Sequence, residues 1–145
     1  MQEHQNPVLT AVLEDINTGS PEKSKRRHLR QMAENLVLFV APARAPGEMP
    51  PLANFFPVRC RDLSSGGVGF FLPAKPNFER IVVQLGNQQN VIYMDAAVKH
   101  IELAPSLPET KEAWDTSGRT YDIGLGSKPY LVGCKFEKRM DGTPK

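Results

Sequence analysis

Apolar residues recur along the chain in two rhythms, and the change between them comes early. Behind Asn6-Pro7, the residues Val8, Leu9, Val12, Leu13 and Ile16 return at helical spacing. Asn suits a helix N-cap and Pro the first helical position, so a short amphipathic helix is expected there. Glu14 and Asp15 fall near its C-terminal end, where the helix dipole disfavours them, and fraying is expected. Gly19-Ser20-Pro21 ends the helix and opens a linker.

Beyond the linker the pattern is that of strands. Ala33 to Val40 is a strongly apolar run, and Pro42 to Pro51 holds breakers that read as a loop or ragged edge. Asn54 to Arg61, Val68 to Leu72, Arg80 to Leu85, Val91 to Leu103 and Tyr130 to Phe136 are further strand-like runs. Asp62 to Gly67 is a turn by composition, and Gly86 to Asn90 is another. Ala104 to Lys128 holds breakers and few apolar residues. It reads as a long surface excursion with a helical turn around Glu109 to Trp114. Six short strands separated by turns predict an all-β chain, either a closed antiparallel barrel or a sandwich; pattern alone does not choose. The expected organisation is one domain: helix and linker over 1–22, strands over 23–140 and a frayed tail over 141–145.

Composition agrees with one ordinary core. The chain has 145 residues, 40 % of them hydrophobic and 8 % aromatic. No apolar run is long enough to cross a membrane as a helix, so no membrane insertion is expected. The polar start, Met1 to Asn6, has no leader-like core, and a cytoplasmic location is expected. Cys60 and Cys134 lie in strand-like segments, far apart and without zinc-type spacing. They read as small buried hydrophobes rather than a disulfide or metal ligands. His4, His28 and His100 have no metal-ligating neighbours and are assigned no role. Trp114 reads as an anchor holding its loop to the core.

The net charge of +2 is too small for general binding of nucleic-acid polymers, but its distribution is uneven. Lys23, Lys25, Arg26, Arg27 and Arg30 sit within eight residues. Arg26 and Arg30 form an R-x-x-x-R pattern, and Asp62, Ser64 and Gly67 later form D-x-S-x-x-G. Each pattern alone is weak, because basic linkers and Asp/Ser/Gly turns are ordinary. Joined, they fit one class of ligand. Phosphates suit guanidinium forks, and the guanine O6/N7 edge suits arginine. The opposite guanine edge offers N1–H and N2–H donors that the Asp62 carboxylate can accept. Ser64 adds a hydroxyl, and Gly67 permits a sharp turn or a close backbone approach.

With these residues in place the chain resembles the PilZ domain family of bacterial cyclic di-GMP receptors, from about Lys23 to about Glu137. Val132-Gly133-Cys134-Lys135-Phe136 resembles the family's late V-G-x-x-F strand. The resemblance implies a six-stranded antiparallel PilZ-type β-barrel, led into by a mobile arginine-bearing segment. It implies a receptor that changes conformation on binding and signals to an unidentified protein partner. Arg26 and Arg30 would clamp the ligand, Asp62 and Ser64 would read the guanine edge, and Gly67 would admit the backbone; Arg27 is available for an extra contact the motif does not require. The family's C-terminal helix is expected to be reduced or absent here.

Three other functions compete with this one. A PilZ-like protein-interaction domain that binds no nucleotide is the alternative, lowered by two intact motifs. A nucleic-acid-binding barrel would expose Phe55, Phe56, Phe70 and Phe71, which read better as core. An enzyme is not expected: there is no nucleophile–base pair, no metal cluster and no Walker loop, so no cofactor is assigned.

Overall fold

A computed structural model describes residues 31–32, 36–86, 91–105, 112–115 and 117–145, with only backbone placement for Gln31 and Met32. The N-terminal helix, Arg26, Arg27 and Arg30 therefore lie outside the described residues. The strands are β1 (Gln31–Met32), β2 (Val37–Ala43), β3 (Phe56–Ser64), β4 (Gly67–Leu72), β5 (Arg80–Gly86), β6 (Val91–Leu103), β7 (Glu112–Trp114), β8 (Thr120–Asp122) and β9 (Tyr130–Arg139). Among the described residues the helical content is a single 3-10 turn at Leu52–Asn54, and no helix follows β9.

Six of these strands close a barrel. The antiparallel order β3-β2-β5-β6-β9-β4 returns to its start because β4 also pairs with β3. That closing pair decides between barrel and sandwich. Strand alternation supplies the interior: Val58 and Cys60 of β3, Val68 and Phe70 of β4, Ile81 and Val83 of β5, and Val132 of β9 are buried in one cluster. Burying these side chains is the main drive to closure, at about 1.5–3 kcal/mol for each large one. Both cysteines are free and buried inside it. Burial pushes the Cys134 thiol up to about 12 and raises that of Cys60 as well, with the nearby Asp62 charge adding to the latter.

Two expected boundaries move for physical reasons. β2 runs on through Pro42, paired with Ile81 of β5. Pairing of β2 with β3 ends at Val40↔Phe56, so the missing N–H of Pro42 costs no ladder bond on that side. The second correction concerns Asp62 to Gly67. Asp62, Leu63 and Ser64 belong to β3, and Gly67 opens β4, leaving Ser65-Gly66 as the turn. Leu63 is buried in the core, and that burial outweighs the turn propensity of its neighbours.

The loop after β2 folds back over the outside of the barrel. Met49 and Phe55 pack against a small outer cluster of Ala43, Val82, Tyr93 and Met140. Buried Asp95 accepts from the Gly47 N–H at 3.1 Å and from the Arg80 guanidinium at 3.1 Å, and Arg80 also pairs with Glu137. The tail is held rather than frayed: the Met140 N–H donates to the Tyr93 carbonyl at 2.7 Å, and Leu52 N–H to the Lys145 carbonyl at 3.0 Å.

Within the 104–128 excursion, Glu112–Trp114 is strand, not the expected helical turn, and pairs with β8 as a hairpin. Asp115 organises its turn. Its carboxylate accepts from Ser117 N–H and O–H, Arg119 N–H and Tyr121 O–H at 2.6 to 3.0 Å. Burial opposes the charge, but these donors outweigh it and hold the carboxyl below its usual range. The Trp114 backbone bridges Leu36, and Tyr121 meets Phe39 edge-on at 5.8 Å, and these contacts tie the hairpin to the β2 side of the barrel.

Candidate functional site

The outer wall of the barrel carries a trough across β3, β4, β9 and β6. Its volume is about 480 Å3, within the range of small-molecule sites. The floor has almost no side chains. Gly69 of β4 pairs directly with Gly133 of β9, and Gly67 lies two residues along on the same outward face. Asp62 and Ser64 of β3 form one wall with Arg61. Lys99, His100 and Glu102 of β6 form the other, and Lys135 of β9 stands between.

Two β-bulges build these walls. Along β3 the core positions are Val58, Cys60 and then Leu63; along β6 they are Ala96, Val98 and then Ile101. Each three-residue step marks one extra residue. Opposite the consecutive pair Phe70 and Gly69, β3 places Cys60 and Asp62, so Arg61 is extra. Opposite Cys134 and Gly133, β6 places Val98 and His100, so Lys99 is extra. A bulge re-aims side chains and commonly borders a functional site. Here both extra residues are cations, and both line the trough.

The glycines are required by packing. A Cβ at Gly69 would stand 2.7 Å from Asp62 Oδ1, so the missing side chain is what seats the Asp62 carboxylate over the floor. A Cβ at Gly67 would stand 2.3 Å from the Cys134 carbonyl oxygen. Neither Gly66 nor Gly67 has a positive φ. The sequence offers a sharp turn or a close backbone approach to ligand as the reason for Gly67; its φ does not require glycine, and what does is the close approach of β9.

Of the sequence-predicted residues, Asp62, Ser64 and Gly67 share this trough. Asp62 is 9 % exposed, and Ser64 Oγ accepts from the Gly66 N–H at 3.2 Å, which fixes the β3–β4 corner. Arg26, Arg27 and Arg30 lie outside the described residues. Their neighbours do not: Gln31 pairs with Leu63 and Met32 with Asp62.

Sequence reasoning missed Arg61, Lys99, His100, Glu102, Lys135 and the Gly69–Gly133 floor. His100 Nε2 lies 3.2 Å from Glu102 Oε2, with both side chains largely exposed. The three-residue core steps at Cys60–Leu63 and Val98–Ile101 were the available clue, because unbroken alternation would have sent these polar residues to other faces. Among the described residues no group of three His, Cys, Asp or Glu side chains is placed to hold a metal ion, and no helix is long and apolar enough to cross a membrane.

No family model and no curated protein sequence matches the chain. Among solved structures it is similar to MrkH, described as a c-di-GMP-dependent transcription regulatory factor, at 16 % identity and TM-score 0.38, over 77 % of this chain and 40 % of that one. The K. pneumoniae MrkH–c-di-GMP complex gives 16 % identity and TM-score 0.38, over 74 % of this chain and 40 % of that one. The PilZ domain of YcgR from Escherichia coli, solved with c-di-GMP, gives 24 % identity and TM-score 0.35, over 76 % of this chain and 70 % of that one. The chain thus spans 40 % of the length of the MrkH chains it is similar to.

Proposed function

We propose that this chain is a receptor domain for cyclic di-GMP, binding the nucleotide in the outer trough with the Lys23–Arg30 segment closing over it. The observation that carries the reading is the pairing of β1 with the end of β3. Gln31, bonded to Arg30, is opposite Leu63, and Met32 is opposite Asp62. That register supports a reading in which the arginine motif, next in sequence, works beside the acidic one. From Gln31 back to Arg26 is five residues, a reach of at most about 18 Å of extended chain.

In this reading the ligand is gripped from two sides. The Arg26 and Arg30 guanidiniums bind phosphate bidentately and reach the O6/N7 edge of a guanine, with Arg27 in reserve. Asp62 accepts from guanine N1–H and N2–H, and Ser64 contributes its hydroxyl. Gly67, whose absent side chain is demanded by β9, keeps the floor open. Neutralising a cationic segment against the barrel orders it and moves whatever precedes it, and that displacement is the output a protein partner would read.

Calorimetric titration of cyclic di-GMP tests this with wild type, Arg30→Ala and Asp62→Ala. A hydrogen bond to a charged group is worth about 1.5–3 kcal/mol net, so each variant should bind about 10- to 100-fold more weakly. Wild-type protein giving no heat at micromolar ligand, or either variant binding like wild type, contradicts the reading.

A further inference from the structure

The middle of the trough is one row of the barrel wall. Across four neighbouring strands, Asp62 of β3 pairs with Gly69 of β4, Gly69 with Gly133 of β9, and Gly133 with His100 of β6. Directly paired residues project from the same face of a sheet, so all four positions look outward. The two inner positions have no side chain, and the two outer ones bear hydrogen-bonding groups. Neighbouring strands lie about 4.8 Å apart, which puts β3 and β6 about 14 Å from each other along the wall. The Asp62 carboxylate leans over Gly69, with Oδ1 2.7 Å from where a Cβ there would stand. His100 stands beside Gly133, its Cβ 3.5 Å from the corresponding point. Between them is a bare strip of backbone that suits a flat ring held at two opposite edges.

A guanine lying on this strip with N1–H and N2–H toward Asp62 turns N7, an acceptor, to its far side. The far side of the strip is where His100 stands, and a ring N–H is the donor that N7 needs. The imidazole is not locked elsewhere. Its Nε2 lies 3.2 Å from Glu102 Oε2, but the two side chains are 62 % and 45 % exposed. A contact so open to water contributes little, so a ligand acceptor can replace the carboxylate at small cost. Lys99, the neighbouring cation, is the extra residue of the β6 bulge and stands outside the paired row. We propose that His100 is a specificity-determining residue that donates to N7 of the guanine whose opposite edge Asp62 reads. This role rests on the cyclic di-GMP reading and uses residues of the barrel wall alone. It also gives Gly69 and Gly133 a shared purpose: together they keep the space between the two readers empty.

The test is calorimetry of the full chain with two ligands, cyclic di-GMP and its 7-deazaguanine analogue, in which each N7 is replaced by C–H. The quantity read is the ratio of the two affinities in each protein, so that pairing of His100 with N7 is isolated as in a double-mutant cycle. Wild type should prefer cyclic di-GMP, and in His100→Ala that preference should shrink by about 3- to 10-fold, the worth of one hydrogen bond. His100→Gln, which keeps an N–H donor, should retain part of the preference. Lys99→Gln should retain all of it. His100 is largely exposed, so its variants should melt with wild type. A preference unchanged in His100→Ala, or one lost with Lys99 instead, overturns the assignment and leaves the receptor reading standing. Wild type that binds neither ligand removes both.

Discussion

The most structure-specific prediction concerns Gly67→Ala. The motif invites the view that this glycine serves only to leave room for a ligand, and on that view alanine should leave the empty protein as stable as before. The geometry says otherwise. The added methyl carbon would lie 2.3 Å from the Cys134 carbonyl oxygen, 3.3 Å from its carbon and 3.4 Å from Lys135 Cα. All three are backbone atoms of β9, so no side chain can swing aside. Ordinary contact begins near 3.4 Å, and β4 must part from β9 by about 1 Å at the end of a barrel seam. The Phe136 N–H bond to the Gly66 carbonyl, 2.9 Å long, lies at the same point and would stretch with it. Overpacking typically costs about 1–3 kcal/mol, and a rigid backbone neighbour places this case at about 3. For a domain of this size that is a fall of about 10 °C in Tm. Gly66→Ala is the control: its nearest neighbour is Ser64 Oγ at 3.9 Å and its φ is not positive, so it should be neutral or gain up to about 1 kcal/mol from the stiffer unfolded chain. Thermal and urea unfolding of both variants without ligand decide the matter. A Gly67→Ala protein melting within about 2 °C of wild type would refute the packing argument.

Three further outcomes follow from the same structure. At Gly69→Ala the three nearest atoms all belong to the Asp62 carboxylate, the end of a side chain, so it should cost less than about 1 kcal/mol of stability yet weaken cyclic di-GMP binding as much as Asp62→Ala does; unchanged affinity by calorimetry would contradict the seat. Arg80→Met leaves buried Asp95, 2 % exposed, with the Gly47 N–H as its remaining described donor; urea unfolding should show a loss of about 3 kcal/mol, largely restored in Arg80→Met/Asp95→Leu. The thiol of Cys134 has its pKa raised by burial from 9.0 to about 12, so in the unfolded chain it ionises first. Stability is then unaffected below pH 9 and falls as pH rises from 9 towards 12, and Cys134→Ala should flatten that slope in denaturation curves collected across the range.

Much of the barrel was legible because its strands obey simple alternation. Val91 to Leu103 is β6 residue for residue, and β4 and β5 differ from expectation by one residue each. Legibility failed where tertiary contacts override local preference. Asp62 and Ser64 are turn formers by composition, but Leu63 between them is drawn into the core and carries both into β3. Pro42 reads as a breaker, yet it fits a stretch of β2 with one neighbouring strand. The tail over 141–145 reads as frayed because nothing local shows that the Lys145 carbonyl will accept from the Leu52 N–H. The acidic half of the candidate site was readable as a motif, whereas its opposite wall was not. Lys99, His100 and Lys135 belong to strands that meet only after closure, and the bulge that aims Lys99 breaks the period used to find strands.

The central claim is that a tethered cationic segment and a preformed trough take hold of the same small molecule. Titrating isotopically labelled protein with cyclic di-GMP while following backbone amide resonances addresses this directly. The account predicts that amides in 23–30, 61–69, 99–102 and 133–135 shift together and saturate at one ligand ratio. Shifts confined to a different face, such as the surroundings of Arg80 and Asp95, or saturation of the trough with the basic segment unmoved, would contradict it.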